Sequence, residues 1–241
     1  MNERLTGVYD KHASKFSTDE TKASTLYIVS TPIGNIEDIS FRAINILKNV
    51  DFIASEDTRK TNFLLTQYGI RNKTISYYSQ VEASKADNIL SELKNGSKAA
   101  LVSDAGTPCI SDPGNLLVSK CIEEGIDVVS IPGCSALMHS LVLSGFTTKK
   151  FFFQGFLPQK KGRQTLFNEL VKIKMPLIIY ESPFRIYKTL NEISEYFGKC
   201  EVSVSRELTK KFEEIIRENV NVLLNQQIKT KGEFVIIINN T

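Results

Sequence analysis

At 241 residues, 41% of them apolar and 24% charged, the chain can build a sizeable core and does not have the composition of a disordered polymer. A formal net charge of +3 is too small to mark a nucleic-acid partner by itself, and two histidines leave little material for a histidine zinc site or a Ser-His-Asp triad. The four cysteines contain no C-x-x-C pair, and without an export signal no disulfide framework is expected. No window approaches the roughly 18 apolar residues of a membrane span, so no membrane association is expected.

The chain opens on MNERLTGVYDKHASKFSTDETKAS (1–24). Here Arg4, Lys11, Lys15 and Lys22 balance Glu3, Asp10, Asp19 and Glu20, and the apolar core of a signal peptide is missing. The stretch reads as a flexible polar leader, and the protein is expected to be cytoplasmic. Buried parallel strands are predicted at LYIVS (26–30), VDFIAS (50–55), AALVS (99–103) and DVVSI (127–131), because each is apolar almost throughout. A further strand is expected ahead of SYYSQVEAS (76–84). Between them the apolar positions Ile39, Ala43, Ile46, Leu47 and Val50 recur at helical spacing. Residues 83–93 and 115–124 repeat that pattern, with Gly96 and Gly125 as stops. Strand–helix–strand alternation of this kind predicts an α/β fold with right-handed crossovers.

A helix is predicted over 135–144, and His139 within it reads as a packed or capping residue. A second series of strands follows at FFFQ (151–154), LIIY (177–180), EVSVS (201–205), 212–217 and FVIII (234–238). These crowd together late in the chain, which predicts a mixed sheet with fewer crossovers. The expected organisation is a leader (1–24), an N-terminal α/β domain (25–140) and a C-terminal α/β domain (141–241).

The unusual residues sit at the carboxyl ends of the predicted strands, where open α/β sheets bind ligands. In the first half these ends are TPIGN (31–35), SEDTRKT (55–61), DAGTPCISDPG (104–114) and PGCSA (132–136). In the second half they are GFLPQKKGR (155–163), YESPFR (180–185) and RELTK (206–210). No G-x-G-x-x-G follows a strand and no G-x-x-x-x-G-K-[ST] occurs, so neither a dinucleotide fingerprint nor a P-loop is present. The pairs Glu56 and Asp57, and Asp104 and Asp112, do not by themselves distinguish acid–base catalysis from turns and caps.

These loops, read together with IPGCSAL, SRELTKKFEE and KGEFVIII, resemble the ribosomal RNA small-subunit methyltransferase I family, a branch of the tetrapyrrole-methylase-like class III methyltransferases. The resemblance runs from about residue 25 to residue 239. It implies two α/β domains with a parallel-rich N-terminal sheet, a mixed C-terminal sheet and a cofactor cleft between them. It also implies S-adenosylmethionine as methyl donor, a homodimer, and 2′-O-methylation of a cytidine ribose in 16S RNA near the decoding centre. The substrate would be that RNA or the assembled 30S subunit. The alternatives are a sister class III enzyme acting on a tetrapyrrole or a protein, or a non-catalytic RNA-binding module.

The resemblance directs Pro32, Gly34, Asp104, Ala105, Gly106, Thr107, Ile110, Pro132, Gly133, Ser135 and Ala136 to the cofactor, with no metal required. Asn35, Glu56, Asp57, Arg59, Lys160, Lys161, Arg163 and Arg185 are directed to the substrate. A ribose hydroxyl is a weak acid, so a base or a cation beside it would help. The catalytic candidates are Glu181, Arg206, Glu207 and Lys210, with Glu56, Asp57 and Arg59 further possibilities and the base unassigned. A basic cluster of Lys149, Lys150, Lys160, Lys161 and Arg163, with Phe156, Tyr77 and Tyr78 for stacking, would meet RNA. Three departures from the family pattern stand out. SYYSQVEAS carries no histidine, Cys134 replaces a proline in the PGP turn, and the chain ends soon after Ile238. Cys109 and Cys134 are expected to share the cleft, with at least one thiol open until cofactor binds.

Overall fold

The computed structural model describes residues 21–80 and 82–241, so most of the expected leader lies outside the described residues. The chain divides between Ser135 and Ala136 into two compact units, which leaves the whole 136–144 helix in the second.

In the first unit the strands are β1 (Thr25–Val29), β2 (Phe52–Ser55), β3 (Thr74–Ser76), β4 (Lys98–Val102) and β5 (Asp127–Ile131). They form one parallel sheet in the order β3-β2-β4-β1-β5. Every residue of β1 and β2 is buried, as strands covered on both faces require. The helices are α1 (Phe41–Asn49), α2 (Thr58–Gln67), α3 (Glu82–Lys94) and α4 (Asn115–Glu123). Ser40 starts α1 by accepting a hydrogen bond from the Ala43 N–H at 3.1 Å, a cap worth about 1 kcal/mol.

The helices sort cleanly between the two faces. Ala43, Ile46 and Leu47 of α1 and Leu65 of α2 join Tyr27, Val29, Ile53 and Val102 in one core. Ile89 and Leu93 of α3 and Leu117 and Cys121 of α4 join Leu26, Ile28, Ala54 and Leu101 in the other. The chain leaving β1 therefore turns to one face, while the chain leaving its neighbour β4 turns to the opposite face. That divergence opens a crevice at the carboxyl ends of β1 and β4, where open sheets bind ligands.

The second unit holds α5 (Ala136–Ser144), β6 (Phe152–Phe156), α6 (Arg163–Leu170), β7 (Leu177–Glu181), α7 (Ile186–Phe197), β8 (Glu201–Arg206), β9 (Glu214–Asn219), the short α8 (Val220–Leu223) and β10 (Phe234–Ile238). The sheet order is β6-β7-β10-β8-β9. Only β6 and β7 run parallel, and β10 pairs antiparallel with both β7 and β8. Helix α7 presents Ile186, Thr189, Leu190 and Ile193 along one buried stripe and stops at Gly198, whose φ of +66° glycine adopts without strain. One face of the sheet carries the core of Phe167, Leu190, Ile193, Val204 and Ile236.

Several expectations are corrected here. The expected 212–217 strand begins at Glu214, because residues 207–213 form the turn that reverses the chain from β8 into β9. Residues 58–61, read within the strand-end loop 55–61, begin α2, which runs to Gln67. His139 is exposed on α5 rather than packed. Among the described residues no helix is long and apolar enough to cross a membrane.

Candidate active site

The first-unit loops are tied together by hydrogen bonds between their own backbones and hydroxyls. Thr31 and Gly106 exchange N–H···O bonds of 2.9 and 3.0 Å, a single bridge spanning the crevice between β1 and β4. Behind it the Ser30 and Thr107 hydroxyls lie 3.0 Å apart, and Thr107 donates to the Cys134 carbonyl at 3.0 Å. Loops from β1, β4 and β5 are thereby fastened at one place. Gly106 has a φ of +83°, and a Cβ there would meet Ile33 at 3.4 Å. A Cβ on Gly133 would meet Ser30 at 2.9 Å, so glycine lets these two loops approach.

The predicted cofactor residues fall on these loops. Gly34, Ala105, Ile110, Pro132 and Gly133 are exposed, Pro32, Asp104, Thr107 and Ser135 are half-buried, and Gly106 is buried beneath them. Ala136 opens α5 and begins the second unit. Small side chains and accessible backbone, edged by the apolar Ile110 and Pro132, make a wall suited to a flat, partly apolar ligand with hydrogen-bonding edges. The far end of the β4 loop is pinned by Glu82, whose carboxylate accepts from the Gly114 N–H at 2.9 Å and the Tyr77 hydroxyl at 3.1 Å. Tyr77 is thus buried and is withdrawn as a stacking residue, while Tyr78 stays partly exposed.

Asp104 caps the chain leaving β2. Its carboxylate accepts from the Asp57 N–H at 3.0 Å and from Lys60 at 2.6 Å. Asp57 in turn caps α2 and grips Arg59 at 2.7 to 3.0 Å, which holds its carboxyl at about 2. The Arg59 side chain is exposed. Asn35 caps a short turn of 3₁₀ helix by accepting from the Glu37 N–H. Asp112, paired with Asp104 in the sequence but given no role there, completes the carboxylate group, and Lys60, which sequence reasoning passed over, is its cation. Burial, followed by repulsion from Asp104, raises Glu56 above the usual range. Burial, followed by the charge of Glu56, lifts Asp112 to about 6.

A raised folded-state pKa means that the protonated form is the one the fold favours. The Asp112 contribution to stability is present below about 4 and is lost as pH climbs through about 6. Asp112→Asn is therefore expected to raise the melting temperature by a few degrees at pH 8 and hardly at all at pH 4. The shift would be worth about 3 kcal/mol if fully buried, and solvent screening reduces it to about 1 to 2 kcal/mol. Equal gains at both pH values in scanning calorimetry would contradict the assignment.

The two thiols are less open than expected. Cys134 is buried and donates to the Asp38 carbonyl at 3.3 Å. Cys109 is half-buried, its sulfur lies against Gly114, and burial pushes its thiol up to about 11. Slow labelling of both follows, and only Cys109 remains to report cofactor binding.

In the second unit the strand register brings Phe156, Glu181 and Arg206 to one end of the sheet, whereas Lys149 and Lys150 precede β6 at its other end. Phe156 lies opposite Tyr180, Phe234 lies opposite both Glu181 and Arg206, and Arg206 lies opposite Glu214. Glu181 is fully buried. Its Oε1 accepts from the Ser182 N–H at 2.7 Å and pairs with Arg185 at 2.7 Å, and its Oε2 accepts from Thr189 at 2.6 Å with Arg163 at 3.8 Å. Arg163, expected to contact RNA, is only 2% exposed. It is held by Glu192 at 2.6 to 3.0 Å, by Thr189 and by the Pro158 carbonyl, so its charge is spent inside the unit. The exposed members of the basic cluster are Lys149, Lys150, Lys160 and Lys161.

Arg206 is buried and pairs with Glu214 at 2.9 Å, and it also donates to the Lys231 carbonyl. Lys210 bridges Glu207 at 2.8 Å and Glu233 at 2.9 Å. Burial alone would raise Glu207, but the Lys210 hydrogen bond, the Glu233 N–H and the charges of Lys210 and Arg206 together outweigh it and hold the carboxyl below its ordinary range. Burial alone would lower Lys210, but Glu207 and Glu233 together lift it. Glu207 itself has a φ of +52°, and Gly232 leaves the space its side chain occupies, since a Cβ there would fall 2.4 Å from Glu207. Among the described residues no group of three or more His, Cys, Asp or Glu is placed to hold a metal ion.

Comparison with known proteins gives three further findings. The sequence profile of the tetrapyrrole (corrin/porphyrin) methylases matches residues 25–223. Relatives called ribosomal RNA small subunit methyltransferase I include one from Halalkalibacterium halodurans, 45% identical over 89% of this chain and 75% of its own length. Another from Thermotoga maritima is 44% identical over 88% of this chain and 97% of its own. Among solved structures, a diphthine synthase superposes with a TM-score of 0.71 at 11% identity, covering 90% of each chain. A uroporphyrin-III C-methyl transferase from Thermus thermophilus, complexed with S-adenosyl homocysteine, gives 0.62 at 14% identity, covering 88% of this chain and 96% of its own. At such identities these two likenesses speak for the fold alone.

Proposed function

Since this chain belongs to the tetrapyrrole methylase family, and within it to the ribosomal RNA small subunit methyltransferase I relatives, we propose that it transfers a methyl group from S-adenosylmethionine to the 2′-hydroxyl of a cytidine in small-subunit ribosomal RNA. The observation that carries the reading is the first-unit wall, in which loops from β1, β4 and β5 are locked by the Thr31–Gly106 bridge and the Ser30–Thr107–Cys134 hydrogen bonds. The exposed Ala105 and half-buried Thr107, set in place by the Gly106 bridge behind them, offer partners to the donor's polar edges, and Ile110 and Pro132 offer an apolar surface to its adenine. Asp104, fixed by Asp57 and Lys60, keeps further lone pairs for a hydroxyl or ammonium. When bound, the donor supplies a methyl group on a cationic sulfur.

The chain's own task is then alignment and proton handling. Lys160 and Lys161 are available to phosphates. Glu207, already held ionised by Lys210, is better suited to fixing that cation than to taking a proton, and Lys210 is suited to steadying a developing alkoxide. We place Asn35, Glu56, Asp57 and Arg59 on the substrate side as well. The protein acts in the cytoplasm as a homodimer. The exposed Met138 and Val142, one turn apart on α5, support burial against a second copy. The protein's partner is small-subunit ribosomal RNA, free or in the assembled subunit.

Nucleoside analysis of small-subunit RNA from cells lacking the gene tests the reading. One 2′-O-methylcytidine is expected to disappear, and an unchanged modification profile would refute it.

A further inference from the structure

Three phenylalanines stand out at the end of the second-unit sheet that carries the candidate residues. Phe184, in the turn after β7, is 95% exposed, Phe212, ahead of β9, is 63% exposed, and Phe156, closing β6, is 54% exposed. Leaving such side chains in water forgoes the stabilisation of burial, so exposed aromatics grouped on one edge call for a partner.

The turn bearing Phe184 is braced. Glu181 accepts from the Ser182 N–H at one side of Phe184 and pairs with Arg185 at the other. Arg185 also donates to the Leu157 carbonyl at 3.3 Å, and Arg163 donates to the Pro158 carbonyl at 2.9 Å. The aromatic turn and the basic loop 157–162 therefore hang from one buried carboxylate. An aromatic ring held out by a rigid support loses little freedom when it binds.

Exposed cations stand beside these rings, with Glu213 and Glu233 the exposed anions near Phe212. Lys160, Lys161 and Lys211 are exposed, and the Lys211 ammonium stands 5.7 Å from the centre of the Phe212 ring. Strands spaced about 4.8 Å apart put Phe156 and Phe212 on opposite margins of the sheet, about 19 Å apart, which is room for several unpaired nucleotides. Rings interleaved with cations are what single-stranded RNA requires, since each base offers a π face and each linkage a phosphate.

The geometry points to Phe184 as the residue that stacks on an unpaired base of the substrate RNA, with Phe156 and Phe212 flanking it along the strand. This inference rests on the reading that RNA is the substrate.

The chain contains no tryptophan, so Phe184→Trp creates a single emitter at the proposed contact. Its fluorescence is expected to be quenched by a single-stranded oligocytidylate and not by the same strand paired with oligoguanylate. Phe184→Leu, which keeps the apolar bulk but not the π face, is expected to weaken oligocytidylate binding about tenfold, and Phe184→Tyr to preserve it. Wild-type affinity in Phe184→Leu would overturn the stacking role. So would emission that changes with protein concentration alone, which would show a second copy covering the ring. Methyl transfer by the wild-type chain to small-subunit RNA is measured alongside. Its absence would sink the functional reading, while the tryptophan response would still decide the stacking.

Discussion

Gly106→Val is expected to weaken S-adenosylmethionine binding about a hundredfold, about 2.8 kcal/mol in binding free energy. The backbone angle demands this. The φ of +83° at Gly106 is a conformation that a β-branched residue adopts only under strain. A Cβ there would stand in ordinary contact with Ile33 at 3.4 Å and the Cys134 carbonyl at 3.7 Å, so the strain lies in the backbone rather than in a clash. Relief requires opening the Thr31–Gly106 bridge, and with it the registration of the loops from β1 and β4. The five-stranded sheet beneath does not depend on the bridge, so the apo variant should lose only a few degrees of melting temperature. Titration calorimetry that finds wild-type affinity in a folded Gly106→Val chain would remove these loops from the cofactor site.

Glu181→Ala is expected to cost the second unit about 3 kcal/mol and to lower its melting temperature by about 10 °C. The loss strips Arg185 of its carboxylate and leaves Arg163 with Glu192 alone, in a place where neither cation is fully hydrated. Hydrogen exchange should loosen first in residues 157–162 and 182–185, the segments suspended from Glu181. Glu181→Gln separates support from catalysis. It keeps the shape and most hydrogen bonds, so a positioning role predicts turnover that falls with the folded fraction and returns on cooling. Turnover that vanishes from a fully folded Glu181→Gln chain would make Glu181 the base instead.

The strands were legible in the sequence because buried parallel strands are apolar throughout, as TLYIV and FIAS are. The mixed character of the second sheet was legible from the crowding of its strands. Helix α2 was not legible, because TRKTNFLLTQ buries only Thr61 and Leu65 and its apolar Phe63 faces water. Missing α2 hid Lys60, which is brought to Asp104 only by that helix. The loop positions that gather in the first unit were readable from glycine and proline at strand ends. Pairing was not readable, since Arg163 and Arg206 look in sequence like the lysines around them. Their burial follows from the long-range partners Glu192 and Glu214. Phe184 was passed over because one aromatic in a turn carries no period, and its meaning emerges only when Phe156 and Phe212 arrive at the same sheet end.

The central claim is the attacking atom, a ribose oxygen of small-subunit RNA. A methyl group on that oxygen removes the nucleophile that alkali uses to cleave the adjoining phosphodiester. Small subunits from cells lacking the gene should therefore be incubated with the chain and S-adenosylmethionine carrying a radioactive methyl group, and the RNA digested to completion with alkali. The account predicts label in an alkali-stable dinucleotide that yields 2′-O-methylcytidine. Label in ordinary mononucleotides, which marks a methylated base, or no label in the RNA would contradict it.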